Sequence, residues 1–232
     1  MQFTSIGSLS GVDAAAWDGL VAHSGGGVFL SHAWLAALET TGAVGARTGW
    51  QPMHLLALDA GRLVGALPLY LKQHSYGEFV FDWAWADAYR RHGLAYYPKL
   101  VAAIPFTPCP GPRLLALRED VAEALIDAAL GLARTLGVSS LHVLLPNRDE
   151  ASRWAAHGLL QRQGVQFHWQ NRAPSPYQDF DDMLSAMSHD KRKKIRQDRR
   201  YVAEAGVRFR VLRGAAITAA DWAFFFRCYE NT

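Results

Sequence analysis

Glu78 and Asp82 flank Phe79-Val80-Phe81, which reads as a short strand, and side chains two or four apart on a strand share a face. Two carboxylates lining one cleft could take the proton from an attacking amine, the task that amine acylation sets a general base. The plainer alternative has one of them capping a turn and the other pairing with Arg90 or Arg91. His168, in GVQFHWQN, is a third candidate base, set against the ordinary outcome of a hydrogen-bonded strand histidine; His142, inside an apolar run, reads as structural.

Groups that could hold a substrate lie close by. Tyr96-Tyr97-Pro98-Lys99 and the segment from Pro105 to Arg113 are rigid, aromatic and cationic, because proline fixes the backbone around the charged side chains. Lys99 and Arg113 could meet a phosphate or carboxylate, Arg113 in bidentate fashion, with Tyr97 beside them. The alternative is an ordered loop whose cations sit in structural ion pairs. Trp83, with Trp85 and Phe81, could stack a base or sugar, although aromatic clusters more often build core.

A second kind of chemistry is concentrated in KRKKIRQDRR, residues 191 to 200. This run sums to +6 in a chain whose net charge is +3, so everything else sums to −3. The field is local, and the chain as a whole is not generally basic, so its charge is no global DNA-binding signature. Lys193, Arg196, Arg199 and Arg200 are the candidates for binding phosphate or tRNA. Apolar positions at Met183, Leu184, Met187, Ile195 and Val202 fall on or near one helical face, which a disordered tail would not need. Ser188 is the expected N-cap of the basic helix and Gly206 its end.

Several chemistries find no support. The histidines show neither HxH nor HExxH, and Cys109 and Cys228 stand alone, so no metal site is expected. No GxSxG elbow or P-loop occurs. The glycines of Gly25-Gly26-Gly27 and Pro110-Gly111-Pro112 do not form the R/Q-x-x-G-x-G/A loop that cradles a pyrophosphate at a helix start. The first residues lack a signal-peptide pattern and no stretch is apolar enough to span a bilayer, so a cytoplasmic protein is expected.

The elements that must position these residues alternate in type, the pattern of an α+β (mixed α/β) domain. Residues 53 to 72 read as a β-hairpin turning at Asp59-Ala60-Gly61, followed by the FVF strand. Residues 120 to 137 form a helix closed by Gly137, then come the strand VSSLHVLLP, the helix RDEASRWAAHG and the strand GVQFHWQN. After a proline segment at 173 to 178 come the basic helix, a strand at VRFRVL, and a last helix capped by Thr218 and Asp221.

FLSHAWLAALE, LPLYLKQHSYGEFVFDWAWADAYRRHGLAYYPKL, IPFTPCPGPRLL, SSLHVLL and VQFHWQN followed by KRKKIRQDRR together resemble the FemAB-like proteins, from about Phe29 to Gly206. That bacterial family is associated with peptidoglycan biosynthesis and with GNAT N-acetyltransferases. The resemblance implies a GNAT-like acyl-CoA N-acyltransferase fold in a tandem: a first domain over 1–172, a linker over 173–178, and the incomplete start of a second domain over 179–232. Such proteins usually run well beyond this chain's last residue, and RAPSPY departs from the Gly-Tyr segment expected at the linker. The wider superfamily transfers an aminoacyl group from aminoacyl-tRNA to the amine of a peptidoglycan precursor. The implied activity is therefore acyl or aminoacyl transfer to an amine, with no firmly bound cofactor and either aminoacyl-tRNA or acyl-CoA as donor. The implied partners are an amine-bearing peptidoglycan precursor, tRNA, and a membrane touched only at its surface. The alternative is a non-catalytic protein that binds RNA or an anionic surface through 191 to 200.

Overall fold

The computed structural model describes residues 1–232, and the chain divides into two compact units, Met1–Val165 and Gln166–Thr232. In the first unit, strands β1 (Gln2–Ile6), β3 (His54–Asp59), β4 (Arg62–Leu67) and β7 (Leu115–Ala116) form one sheet in the order β1-β3-β4-β7. A second sheet has the order β2-β5-β6-β8, from Trp50–Pro52, Leu69–Lys72, Lys99–Ala102 and Leu141–Val143. All pairs are antiparallel except β6 with β8. Helices α1 (Ala14–His23), α2 (His32–Thr40), α3 (Trp83–Arg91), α4 (Glu119–Leu136) and α5 (Arg148–Ala156) complete a mixed α/β architecture.

The hairpin forms where the sequence places it. Ala60 and Gly61 both take positive φ, 48° and 78°, as a tight turn between twisted strands requires, and Asp59 pairs with Arg62. Pro68 then divides the second apolar run into β4 and β5, which enter different sheets. Helix α4 buries Val121, Leu125, Ile126 and Ala129 against Leu55, Val64, Leu67 and Leu100, while α1 and α2 place Trp17, Leu20 and Leu35 around Leu56 and Ala66. Each fully buried aliphatic or aromatic side chain there contributes about 1.5–3 kcal/mol.

Close approach of α4 to the sheet depends on Gly65, where an added Cβ would stand 2.6 Å from Val121 Cγ1 and 3.3 Å from the Leu115 carbonyl oxygen. Gly65→Val is therefore expected to cost about 1–3 kcal/mol through overpacking, read as a lower urea midpoint with unchanged slope. An unaltered midpoint would mean that α4 lifts from the sheet without cost.

Three expected strands do not form. FVF is part of the loop leading into α3, with Phe79 and Phe81 at positive φ. GVQFHWQN and VRFRVL belong to no strand, and all of their residues but Leu212 are exposed. Their alternating residues supply a face, but a strand also needs a neighbour for its N–H and C=O groups. Conversely β6, read as part of a rigid loop, is a wholly buried central strand.

The second unit contains α6 (Phe180–Ser185), α7 (His189–Glu204) and α8 (Ala219–Glu230). Ser188 is the N-cap residue of α7, and Gly206 follows its end with φ 69°. The Thr218–Asp221 capping box of α8 is present, with both reciprocal hydrogen bonds made. Trp222, Phe224, Phe225, Phe226 and Tyr229 are exposed. No helix is long and apolar enough to cross a membrane.

Candidate functional site

Lys72 at the end of β5 and Lys99 at the start of β6 are cross-strand partners, and both side chains are fully buried. Opposed like charges in a low-dielectric interior are unfavourable unless anions accompany them. The loop between β5 and α3 supplies the anions. It turns at Gly77, whose φ is 79° and whose Cα lies so near Phe106 that a Cβ would stand 2.6 Å from that ring. Positive φ at Phe79 and Phe81 then turns the phenyl rings outward, while Glu78 and Asp82 are buried.

The Lys99 ammonium donates to Ser75 Oγ at 2.9 Å, Glu78 Oε2 at 2.9 Å and Asp82 Oδ2 at 2.5 Å, so its three protons are all placed. Tyr96 donates its hydroxyl to Asp82 Oδ2 at 2.6 Å, and Tyr97 hydrogen-bonds Ser75 at 2.7 Å. Lys72 donates to the Tyr76 carbonyl at 3.2 Å and lies 3.7 Å over the indole of Trp50, which donates to the same carbonyl. His142 bonds Ser140 Oγ at 2.9 Å on the far side of Tyr96. Two acceptors are left over: Glu78 Oε1 and Asp82 Oδ1 are buried without a hydrogen-bond partner. Each such orphan costs about 1–3 kcal/mol.

The two carboxylates sit in opposite electrostatic situations although they share Lys99. Burial raises the pKa of Glu78 above the usual carboxylate range, and Lys99 and Lys72 offset this only in part. Burial also works against Asp82, but hydrogen bonds from Lys99, Ser75 and Tyr96 prevail and hold it down at about 2. Burial brings Lys72 down to about 7, and burial followed by the Lys99 charge brings His142 down to about 4. A proton acceptor of raised pKa beside a permanent anion is the pairing found where acid–base roles are divided between two carboxyl groups.

A family model for FemAB-like proteins, described as peptidoglycan biosynthesis/recognition, matches residues 8–232. The chain belongs to the FemAB-like family. The match extends beyond both ends of the stretch that carries the resemblance in the sequence. No curated protein matches. This FemAB-like chain is similar to the apo crystal structure of an aminoglycoside antibiotic 6'-N-acetyltransferase from Acinetobacter haemolyticus, at 15% identity and TM-score 0.43, over 74% of this chain and 99% of that one. It is also similar to the crystal structure of a probable acetyltransferase, at 16% identity and TM-score 0.43, over 75% and 100% of the two chains.

Of the residues singled out in the sequence of this FemAB-like chain, Glu78, Asp82, Lys99 and Tyr97 come together in the buried cluster. Arg90 and Arg91 pair with Asp87 and not with Glu78 or Asp82. Trp83 lies outside, half exposed, with its ring edge-on to Tyr76. Arg113 is elsewhere: its guanidinium donates to the carbonyls of Leu144, Gly111, Pro112 and Cys109, which ties the proline-rich loop to the end of β8. Those bonds leave no fork for a substrate anion. Glu150 accepts from the backbone N–H groups of Arg113 and Leu114. His168 lies in an exposed, unpaired segment of the second unit and not on a strand.

On α7, Lys193, Arg196 and Arg200 share an open, solvent-exposed face with His189, Arg192 and Gln197. Arg199 points away from it and stacks on Phe180 at 4.7 Å. Ser75, Tyr96, Lys72 and His142 complete the buried cluster; Tyr96 is read in the sequence only as part of the rigid 96–99 segment and His142 only as structural, while Ser75 and Lys72 are not singled out at all. A lysine ending the apolar run LPLYL was the one available signal, since a buried lysine needs a partner.

Proposed function

We propose that this FemAB-like chain is an acyltransferase that moves an acyl or aminoacyl group onto an amine of a peptidoglycan precursor, with the Glu78–Lys99–Asp82 cluster as its reactive centre. The observation that carries the reading is the pair of buried, partnerless oxygens, Glu78 Oε1 and Asp82 Oδ1. A substrate ammonium brings N–H donors that would satisfy both. Because Glu78 and Asp82 are covered in this structure, the amine reaches them when the loop carrying them is displaced.

Asp82, kept ionised by Lys99 and Tyr96, holds the ammonium in place. Glu78, whose raised pKa makes it the better proton acceptor, removes the proton and frees the nitrogen lone pair. The nitrogen then forms a bond to the donor's carbonyl carbon, and the C–O bond of an aminoacyl ester or the C–S bond of a thioester breaks. The ammonium gives up two protons in all: Glu78 passes one to the departing alcohol or thiol, and the other, lost from the nitrogen as the amide forms, is released to solvent. The test is turnover of an amine-bearing precursor with aminoacyl-tRNA and, separately, with acyl-CoA. Absence of transfer from both donors would overturn the reading.

Both donor classes carry phosphates, and this face of α7 gives the second unit a cationic surface suited to them. Replacing Lys193, Arg196 and Arg200 together by Ala is expected to flatten the salt dependence of tRNA binding by about 2 units of log–log slope. Arg199→Ala, off that face, should change it by less. Equal effects from the two changes would remove this face as the phosphate seat.

A further inference from the structure

Phe79, Phe81 and Phe106 are held in water by backbone that phenylalanine avoids. Their φ angles are 59°, 49° and 57°, and their exposures are 53%, 69% and 43%. Left-handed backbone is unfavourable for a bulky side chain, and an exposed phenyl forgoes its burial, so the surrounding structure maintains this arrangement against two costs. Tyr76 and Trp83 extend the same surface: their rings are 5.4 Å apart, and Phe106 packs at Gly77. Helix α3, which begins at Trp83, buries none of its residues.

The rim of this surface is basic. Arg162 donates to the Phe81 carbonyl at 3.3 Å, and Arg90 and Arg91 end α3, outnumbering Asp87, which pairs with both. The loop's own carboxylates, Glu78 and Asp82, point inward to Lys99. The outward face therefore offers aromatic surface and positive charge.

We propose that this face docks on an anionic lipid bilayer, the phenylalanines reaching below the headgroups, Trp83 lying at headgroup level, and Arg90, Arg91 and Arg162 meeting lipid phosphates. Indole and phenol side chains favour that interface, whereas phenyl rings, with no polar handle, suit hydrocarbon. A small shaped ligand would call for a concavity with fixed hydrogen-bonding groups; this surface is a projecting loop and an exposed helix. Basic residues beside it add attraction that anionic lipids alone supply. The inference goes beyond acyl transfer and does not depend on it, since vesicle binding needs no turnover. The two meet in one loop, whose outer side carries the aromatics and whose inner side carries Glu78 and Asp82.

Co-sedimentation of the full chain with phosphatidylglycerol-containing vesicles and with pure phosphatidylcholine vesicles tests the proposal. Stronger binding to the anionic vesicles is expected, part of it persisting at about 0.5 M salt, where charge attraction is largely screened. Phe79→Asn with Phe81→Asn keeps residues that tolerate left-handed backbone and should weaken partition about tenfold per phenylalanine removed. Phe81→Asn alone, at the most exposed of the three, serves if the double variant does not fold. The α7 variant lacking Lys193, Arg196 and Arg200 should retain the salt-resistant part. No preference for anionic vesicles, undiminished binding of the asparagine variants, or complete loss in the α7 variant would overturn the proposal. So would a concentration-dependent dimer abolished by Phe81→Asn, which would assign the face to a second copy of the chain.

Discussion

Lys99→Met is expected to destabilise the fold by about 3–5 kcal/mol, the cost of removing one partner from a buried ion cluster and leaving the others charged. Lys99 is the common donor to Ser75, Glu78 and Asp82, and all three acceptors are buried. Without it Glu78 and Asp82 face each other as buried anions, with Lys72 committed to the Tyr76 carbonyl and the Trp50 ring. Methionine keeps the chain length and removes the charge, so the loss reports electrostatics and not a cavity. The pH dependence gives the check. In the wild type the pKa of Asp82 is depressed to about 2, so the stability it contributes is present above the usual carboxylate range and is lost as pH falls toward that value. Glu78 has the opposite sign: its raised pKa favours the folded state at low pH and weighs against it once ionised. In Lys99→Met both carboxylates prefer the neutral form, so the gap from wild type should narrow as pH is lowered. Urea midpoints across pH measure this, and a loss under about 1 kcal/mol at neutral pH would mean that the cluster is solvated when folded.

What the sequence disclosed of this site divides along physical lines. Glu78, Asp82, Lys99 and Tyr97 stand out as polar groups among aromatics. Their convergence depends on a loop whose decisive feature, positive φ at Phe79 and Phe81, contradicts the intrinsic preference of phenylalanine and so leaves no trace in a pattern. FVF looks like a strand for the same reason: apolar residues between charges alternate whether or not a ladder exists. Lys72 was hidden because its partner is set by the β5–β6 register, a long-range fact. Of the two readings Arg113 invites, substrate anion or ordered loop, its hydrogen bonds favour the loop, though to carbonyls and not to an ion partner. Pro105, Pro108, Pro110 and Pro112 remove backbone donors from their segment, and the carbonyls left over draw the guanidinium inward. The hairpin, α4, α7 and the α8 capping box rest on local rules of turn, period and cap, and these are the elements that appear where expected.

Glu78→Gln should lower turnover by about 10²–10⁴-fold, the usual worth of a positioned general base, with little effect on folding. Glutamine preserves an acceptor for Lys99 and the shape of the buried side chain. Neutralising a group whose burial already disfavours its charge should not cost stability on the scale of Lys99→Met. The wild-type rate should fall as pH drops below the raised pKa of Glu78, because the base acts only when deprotonated, and that acid limb should vanish in the variant. Asp82→Asn provides the contrast. Asp82 is held anionic to orient the ammonium, so its loss should raise KM for the amine more than it lowers kcat and should leave the acid limb in place. If Asp82→Asn removed the limb and Glu78→Gln left it, the two roles would be exchanged. If both variants turned over as fast as wild type, the buried cluster would be structural and the acyl acceptor would have to bind elsewhere.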